Sequence, residues 1–303
     1  MALATALRLE YVTKRFQVRW PWRRLPGWLW PAPISTLTAD SDPLAPPWPD
    51  VVISSGRKAA PVALAVKRRS DNHAYAIHIQ DPRFRTAAFD LIVAPRHDDL
   101  SGENVIVTRG GVHGITSEVL AAAARDFSPT YGALPQPRVA VLVGGSNRRF
   151  TLDGPTASRL AAELRELVTD AGASLMVTAS RRTDPAALAA LRAGLADLPA
   201  GSVAFWSGDG ANPYFGFLAL ADAIVVTCDS VNMITEACAT GRPVYIAVLP
   251  GGSAKFRRFH DSLFASDAAR PFTGRLEDWS PGAPDDMAAT VADVQGRLDA
   301  RFS

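Results

Sequence analysis

One stretch constrains the fold more than any other, residues 222–248. Ile224, Val225 and Val226 form a short β-branched run of the kind buried in a parallel sheet. The run ends at Thr227-Cys228-Asp229-Ser230. Asp229 or Ser230 is placed to cap a helix that opens with Val231, Asn232 and Met233. Gly241 stops that helix, and Pro243 follows it. A second apolar run comes next, at 244–249. The pattern predicts strand, turn, helix, strand. Its turn would present bare backbone N–H groups at the positive end of a helix, which attracts phosphate. Glu236 lies one to two turns further on, where it could reach a ribose hydroxyl.

The second half repeats this alternation. Strands are expected at 139–143, 175–177, 203–205, 224–226 and 244–248. Helices are expected at about 155–170, 184–197, 213–220, 231–240 and 254–265. Such a series implies a doubly wound parallel sheet. The first half carries expected strands at 51–53, 74–79, 90–94 and 105–108. Its helices fall at about 57–69 and 116–125. Residues 128–137 are the best linker candidate, so the expected domains are 1–127 and 128–303. A final amphipathic helix covers 285–302.

Four turns of the second half follow parallel strands, so they share one sheet edge, where open α/β folds bind ligands. Gly144, Gly145 and Ser146 follow the first strand. The glycines allow a ligand close to the backbone, and Ser146 can bind an oxygen; a plain turn is an equal reading. Thr178, Ser180, Arg181 and Arg182 follow the second strand. The arginines suit a diphosphate, or are solvated or paired with Asp184. Asn212 and Tyr214 follow the third, with Tyr214 placed to stack on a base or to pack. Asp229, Ser230, Met233 and Glu236 belong to the fourth. Lys255, Arg257, Arg258 and His260 share a helix that binds phosphate or is only solvated. In the first half, Gly56, Arg57 and Gln80 are candidate substrate contacts. Asp81 and His97 are the candidate bases for an acceptor hydroxyl, each with a bland alternative as a loop residue. No GxGxxG, P-loop, HExxH or CxxC is present.

Several of these stretches together resemble a known family. They are His78-Ile-Gln80-Asp81-Pro82-Arg83, Gly144-Gly145-Ser146, Thr178-Ala-Ser180-Arg181-Arg182-Thr183, Asn212-Pro213-Tyr214, Asp229 to Glu236, and Lys255-Phe-Arg-Arg-Phe259-His260. The chain resembles the mitochondrial fission (elongated mitochondria) family, bacterial branch, over nearly its whole length. Ser230 to Glu236 with Gly241-Arg-Pro243 also resembles the nucleotide-sugar half-site of GT-B glycosyltransferases. The resemblance implies two Rossmann-like domains with a cleft between them. It implies a helix N-terminus for the diphosphate and Glu236 for the ribose. The family usually opens with a strand and a glycine loop before the first helix, so the first domain is expected to lack its first strand.

Composition narrows the setting. The 303 residues are 48% hydrophobic and 20% charged, with net charge +2, as in a soluble protein that does not bind nucleic acid through its overall charge. Cys228 and Cys238 form no disulfide framework and read as small buried residues of a reducing cytoplasm. No run of about 18 apolar residues is present, and the start lacks a signal-peptide pattern. Residues 14–31 interleave Lys14, Arg15, Arg19, Arg23 and Arg24 with Trp20, Trp22, Trp28 and Trp30. They are expected to touch an anionic membrane surface, placing the protein in the cytoplasm, peripheral on the inner membrane; the bland reading is that the rings cover the core. The leading expectation is a glycosyltransferase without metal or cofactor that uses a nucleoside-diphosphate sugar, with an envelope lipid or glycan as acceptor. The alternatives are a non-catalytic fission-family adaptor and a sugar-nucleotide epimerase.

Overall fold

The computed structural model describes residues 1–206, 208–282 and 287–303. The chain forms two compact units. The first comprises residues 1–114 with the C-terminal helix, and the second begins at Ile115.

The first unit opens with α1 (Ala2–Ala6) and continues through β1 (Val51–Ser55), α2 (Ala59–Arg69), β2 (Tyr75–Ile79), β3 (Leu91–Pro95) and β4 (Val105–Thr108). The four strands pair in parallel in the order β1-β2-β3-β4. Side chains alternate between the two faces of the sheet. Ile77, Val93 and Ile106 pack with Leu3 and Leu7. Ala76, Ile92 and Ala94 pack under Ala60, Ala63 and Leu64 of α2. Residues 14–31 form no long helix. Pro21 and Pro26 break the segment into short 3-10 turns, Trp22–Arg24 and Gly27–Leu29. Trp30 and Val18 bury against Val62 of α2.

The second unit runs α3 (Ser117–Tyr131), β5 (Arg138–Val143), α4 (Gly154–Ala171), β6 (Ser174–Ala179), α5 (Pro185–Gly194), β7 (Val203–Phe205), α6 (Tyr214–Leu220), β8 (Ala223–Thr227), α7 (Val231–Cys238), β9 (Val244–Ala247), α8 (Ala254–Ala265) and β10 (Arg270–Pro271). The sheet order is β10-β9-β8-β5-β6-β7, all parallel. Helices cover both faces, so β5 and β8 are buried on both sides and read as unbroken apolar runs. Asp153 and Asp184 cap α4 and α5, accepting from Thr156 N and Ala186 N.

The expected boundary at 127/128 is corrected to 114/115. The proposed linker is partly helix: α3 continues through Pro129 to Tyr131. Proline removes a backbone hydrogen bond there, but packing against α6 outweighs the loss. Tyr131 meets the Phe217 ring edge-on at 4.9 Å, and Gly216 leaves room for Phe127. The last helix, α9 (Met287–Phe302), belongs to the first unit. Val294 and Leu298 enter the core beside Leu3 and Leu7. Arg297 donates to Glu103 O at 3.0 Å. The start expected for this helix, 285–286, lies outside the described residues.

Candidate functional site

The strand order of the second unit reverses at β5. β6 and β7 lie to one side, β8 to β10 to the other. At such a switch point two neighbouring turns leave their strands in opposite directions and open a crevice above the sheet edge. The turns there are Gly144–Ser146, after β5, and Cys228–Ser230, after β8.

Asp229 joins them. Its carboxylate is wholly buried. It accepts from Gly145 N at 3.0 Å and from Thr227 Oγ1 at 2.7 Å. Thr227 Oγ1 in turn accepts from Gly144 N at 2.8 Å. Arg182, half exposed, reaches Asp229 Oδ2 at 3.3 Å. The turn after β6 is tied to the same place. Ser180 N donates to Val143 O at 2.8 Å, and Thr183 Oγ1 donates to Gly144 O. Thr178 is buried beneath.

These bonds correct several residue-level expectations. Asp229 does not cap α7, because its carboxylate is taken by the β5 turn. Ser230 occupies the N-cap position, but its side chain makes no capping bond. The two glycines are required by protein, whatever else approaches them. A Cβ on Gly144 would lie 2.1 Å from Asp229 Oδ1, and one on Gly145 2.3 Å from Arg182 O. Ser146 is engaged too: Leu152 N donates to Ser146 Oγ at 2.8 Å, and Ser146 Oγ donates to Leu152 O at 3.2 Å. Arg182 pairs with Asp229, not with Asp184. Arg181 stays exposed.

What remains is the mouth of α7. Ser230 and Met233 are partly exposed there. Glu236 sits farther along the helix, and Tyr214 OH donates to its Oε2 at 2.6 Å. Burial first, then the Glu236 charge, drives the Tyr214 pKa far up. The phenol therefore stays protonated and donates at ordinary pH. Tyr214 N is held by Asn212 Oδ1 at 3.0 Å, so Asn212 shapes the start of α6. Behind the turn, His260 Nε2 donates to Cys228 O at 3.0 Å, which sets the imidazole tautomer. Burial pushes the Cys228 thiol up to about 11 and Cys238 up to about 12, so both are inert.

A sequence profile described as "Mitochondrial fission ELM1" matches residues 1–298. The chain belongs to this family. It is 32% identical to the mitochondrial fission protein ELM1 of Arabidopsis thaliana over 281 residues, which is 84% of this chain and 65% of that protein. The chain therefore spans just under two thirds of the plant relative. An uncharacterized protein of Rickettsia prowazekii is 26% identical over 81% of this chain and 78% of its own length. Among solved structures, UDP-GlcNAc 2-epimerase from Methanocaldococcus jannaschii, in complex with UDP-GlcNAc and UDP, matches with TM-score 0.50 and 12% identity. The match covers 82% of this chain and 75% of that one. A Listeria monocytogenes protein assigned as a UDP-N-acetylglucosamine 2-epimerase matches with TM-score 0.51 and 13% identity, over 84% and 68%. At this identity the likeness establishes the fold: this ELM1-family chain is built as two Rossmann-like units of the GT-B type.

The candidate residues of the first unit gather at the carboxyl edge of its own sheet. Gly56 turns the chain after β1 with φ +84, and Arg57 beside it is exposed. Gln80, Arg83 and Arg85 all adopt positive φ without being glycine. Strain of this kind costs on the order of 1–3 kcal/mol each and must be held by the surrounding fold. Asp81 is occupied: Oδ1 accepts from Arg83 N at 2.8 Å and Oδ2 from Arg83 Nε at 2.9 Å. His97 is buried in the turn after β3. His78 is fully buried on β2. Its Nδ1 lies 2.8 Å from Ser54 Oγ, while Nε2 is buried with no hydrogen-bond partner among the described residues. Desolvation pushes its pKa down to about 4. Three partners escaped the sequence reading: Thr227, Thr183 and the Tyr214–Glu236 bond. Each joins residues that belong to different elements of the chain, and no local spacing announces such a join.

Proposed function

We infer that the second unit binds a nucleoside-diphosphate sugar at the carboxyl edge of its sheet. The observation that carries this is the mouth of α7. A helix start with no side-chain cap opens at the switch-point turn, and a carboxylate held by a half-buried phenol follows along the helix. The uncapped N–H groups would face the diphosphate, where the helix dipole adds to them. Glu236, oriented by Tyr214, would accept from a ribose hydroxyl. Arg181 is exposed and suited to diphosphate charge. The complexes reported for the epimerase of similar fold support the same ligand class.

The reaction proposed is glycosyl transfer without a bound metal. An acceptor hydroxyl attacks the anomeric carbon, its bond to the diphosphate oxygen breaks, and the proton passes to a base. The leaving charge is met by backbone N–H groups and arginine. Asp81 or His97 would be the base. The Asp81–Arg83 pairing favours a second reading, a binding protein without turnover, which the fission name of the plant relative also supports.

Calorimetric titration with UDP, GDP and ADP, with and without EDTA, tests the binding claim. One diphosphate should bind equally in both buffers. Glu236→Ala should weaken it by about 1–3 kcal/mol, the cost of a lost charged hydrogen bond. No binding by any of the three would overturn the reading. Release of free sugar from a bound donor would then separate enzyme from adaptor.

A further inference from the structure

We propose that the loop at residues 19–29 docks on the surface of an anionic phospholipid bilayer. The chain has no acidic residue between Glu10 and Asp40, while Lys14, Arg15, Arg19, Arg23 and Arg24 fall in that interval. The structure divides the tryptophans of this segment into two sets. Trp30 is buried, and Trp22 packs partly against the same small cluster on α2. Trp20 is 73% exposed and Trp28 61%, with Leu25 and Leu29 also outward.

The exposed rings are presented by a pinned loop, not a loose tail. Gly27 rests on Pro61 so closely that a Cβ would come within 2.9 Å of its ring. Arg19 N donates to Thr36 O at 2.8 Å, and Thr38 N donates to Gln17 O at 2.9 Å. Fixed exposure of two tryptophans costs free energy in water unless something covers them. Next to the loop, Arg68 and Arg69 at the end of α2 line a shallow cavity of about 230 Å³, with Pro31, Pro33, Ile34 and Ala65. Two arginines beside apolar lining residues would suit a lipid phosphate above its glycerol.

The charge selects the occupant. Tryptophan partitions to the headgroup layer, and arginine is drawn to anionic lipid. A second copy of this chain would bring like charges together. A nucleic acid would take the rings and arginines but leave Leu25 and Leu29 in water, whereas a bilayer covers all of them. No helix among the described residues is long and apolar enough to cross a membrane, so the contact is peripheral.

The test is co-sedimentation of the full chain with two kinds of vesicle. One is phosphatidylcholine alone; the other contains about one third phosphatidylserine. The chain should pellet with the anionic vesicles and much less with the neutral ones. Trp20→Ser with Trp28→Ser should weaken that binding by about tenfold. Arg19→Gln, Arg23→Gln and Arg24→Gln together should remove the preference for anionic lipid. The Trp20, Arg23, Arg24, Leu25 and Trp28 side chains are exposed, so variants confined to them should keep the wild-type melting temperature, whereas Arg19 also donates to Ser35 O and its replacement is compared at matched folded fraction. Leu25→Ser with Leu29→Ser is a second apolar pair for the same comparison. Failure to pellet with either vesicle overturns the proposal. So does undiminished binding after both apolar changes. So does tighter retention on single-stranded RNA than on vesicles, or a dimer in sedimentation velocity that the tryptophan changes dissolve.

Discussion

Asp229 shows how one side chain can assemble a turn cluster. It holds the β5 turn and the arginine after β6 at once, from a position with no exposure of its own. Asp229→Ala would leave Gly145 N and Thr227 Oγ1 buried without their acceptor. The expected loss is about 2–3 kcal/mol in urea unfolding, and an unchanged midpoint would show that the turns stand without it. Gly144→Ala should disturb the same cluster by driving a methyl into the carboxylate. His78 predicts a pH dependence. Its folded pKa, near 4, lies below the ordinary value of 6.5. The unfolded chain therefore binds the proton first, and stability falls as the pH drops from 6.5 towards 4. The loss reaches on the order of 3 kcal/mol at the lower end. His78→Phe should flatten the pH profile of unfolding across that window. A wild-type profile already flat there would refute the assignment.

At the scale of elements, helix α3 is the informative case. Its first turns are legible from sequence, because Thr116 caps it, accepting from Val119 N. Its last turn is not, because Pro129 argues for a stop and only α6 keeps it helical. Gly216 is the contact that permits this approach, with the Phe127 ring 2.5 Å from where its Cβ would lie. Gly216→Val should push the two helices apart and cost about 1–3 kcal/mol, seen as a lower melting temperature. A melting curve identical to wild type would mean the helices slide without penalty. The mouth of α7 belongs to this scale as well. Tyr214 comes from one helix and Glu236 from another, so Tyr214→Phe should weaken nucleotide binding less than Glu236→Ala does, because it disturbs only the orientation of the carboxylate.

Across the whole molecule, each unit has its own hydrophobic core, and α9 is far in sequence from the core it completes. Val294 and Leu298 close one face of the first sheet. A chain ending at Gly282 should therefore lose protection from hydrogen exchange in β1 to β4 while β5 to β9 keep theirs. Equal loss in both sheets, or in neither, would contradict this division of cores.

Period and punctuation alone made the second sheet legible. Its central strands, β5, β6, β8 and β9, are largely buried, so they appear as apolar runs, and caps and glycines bound the helices between them; the two-residue β10, half-buried to exposed, left no such signal. The turns at its edge were legible as a set, since every turn after a parallel strand must emerge on the same side. The roles within that set were not. Whether Gly144 faces a ligand or Asp229, and whether Arg182 pairs with Asp184 or Asp229, depends on which strands are neighbours. β5 and β8 are neighbours but stand some eighty residues apart in the chain. The division of the tryptophans into anchors and exposed rings has the same origin. Composition placed four of them in one basic segment, but only contact with α2 decided that Trp30 turns inward while Trp20 and Trp28 face water. Local pattern determines what each segment is, because propensity and burial act over a few residues. Partners are decided by packing between segments distant in the chain, and that information exists only in the folded molecule.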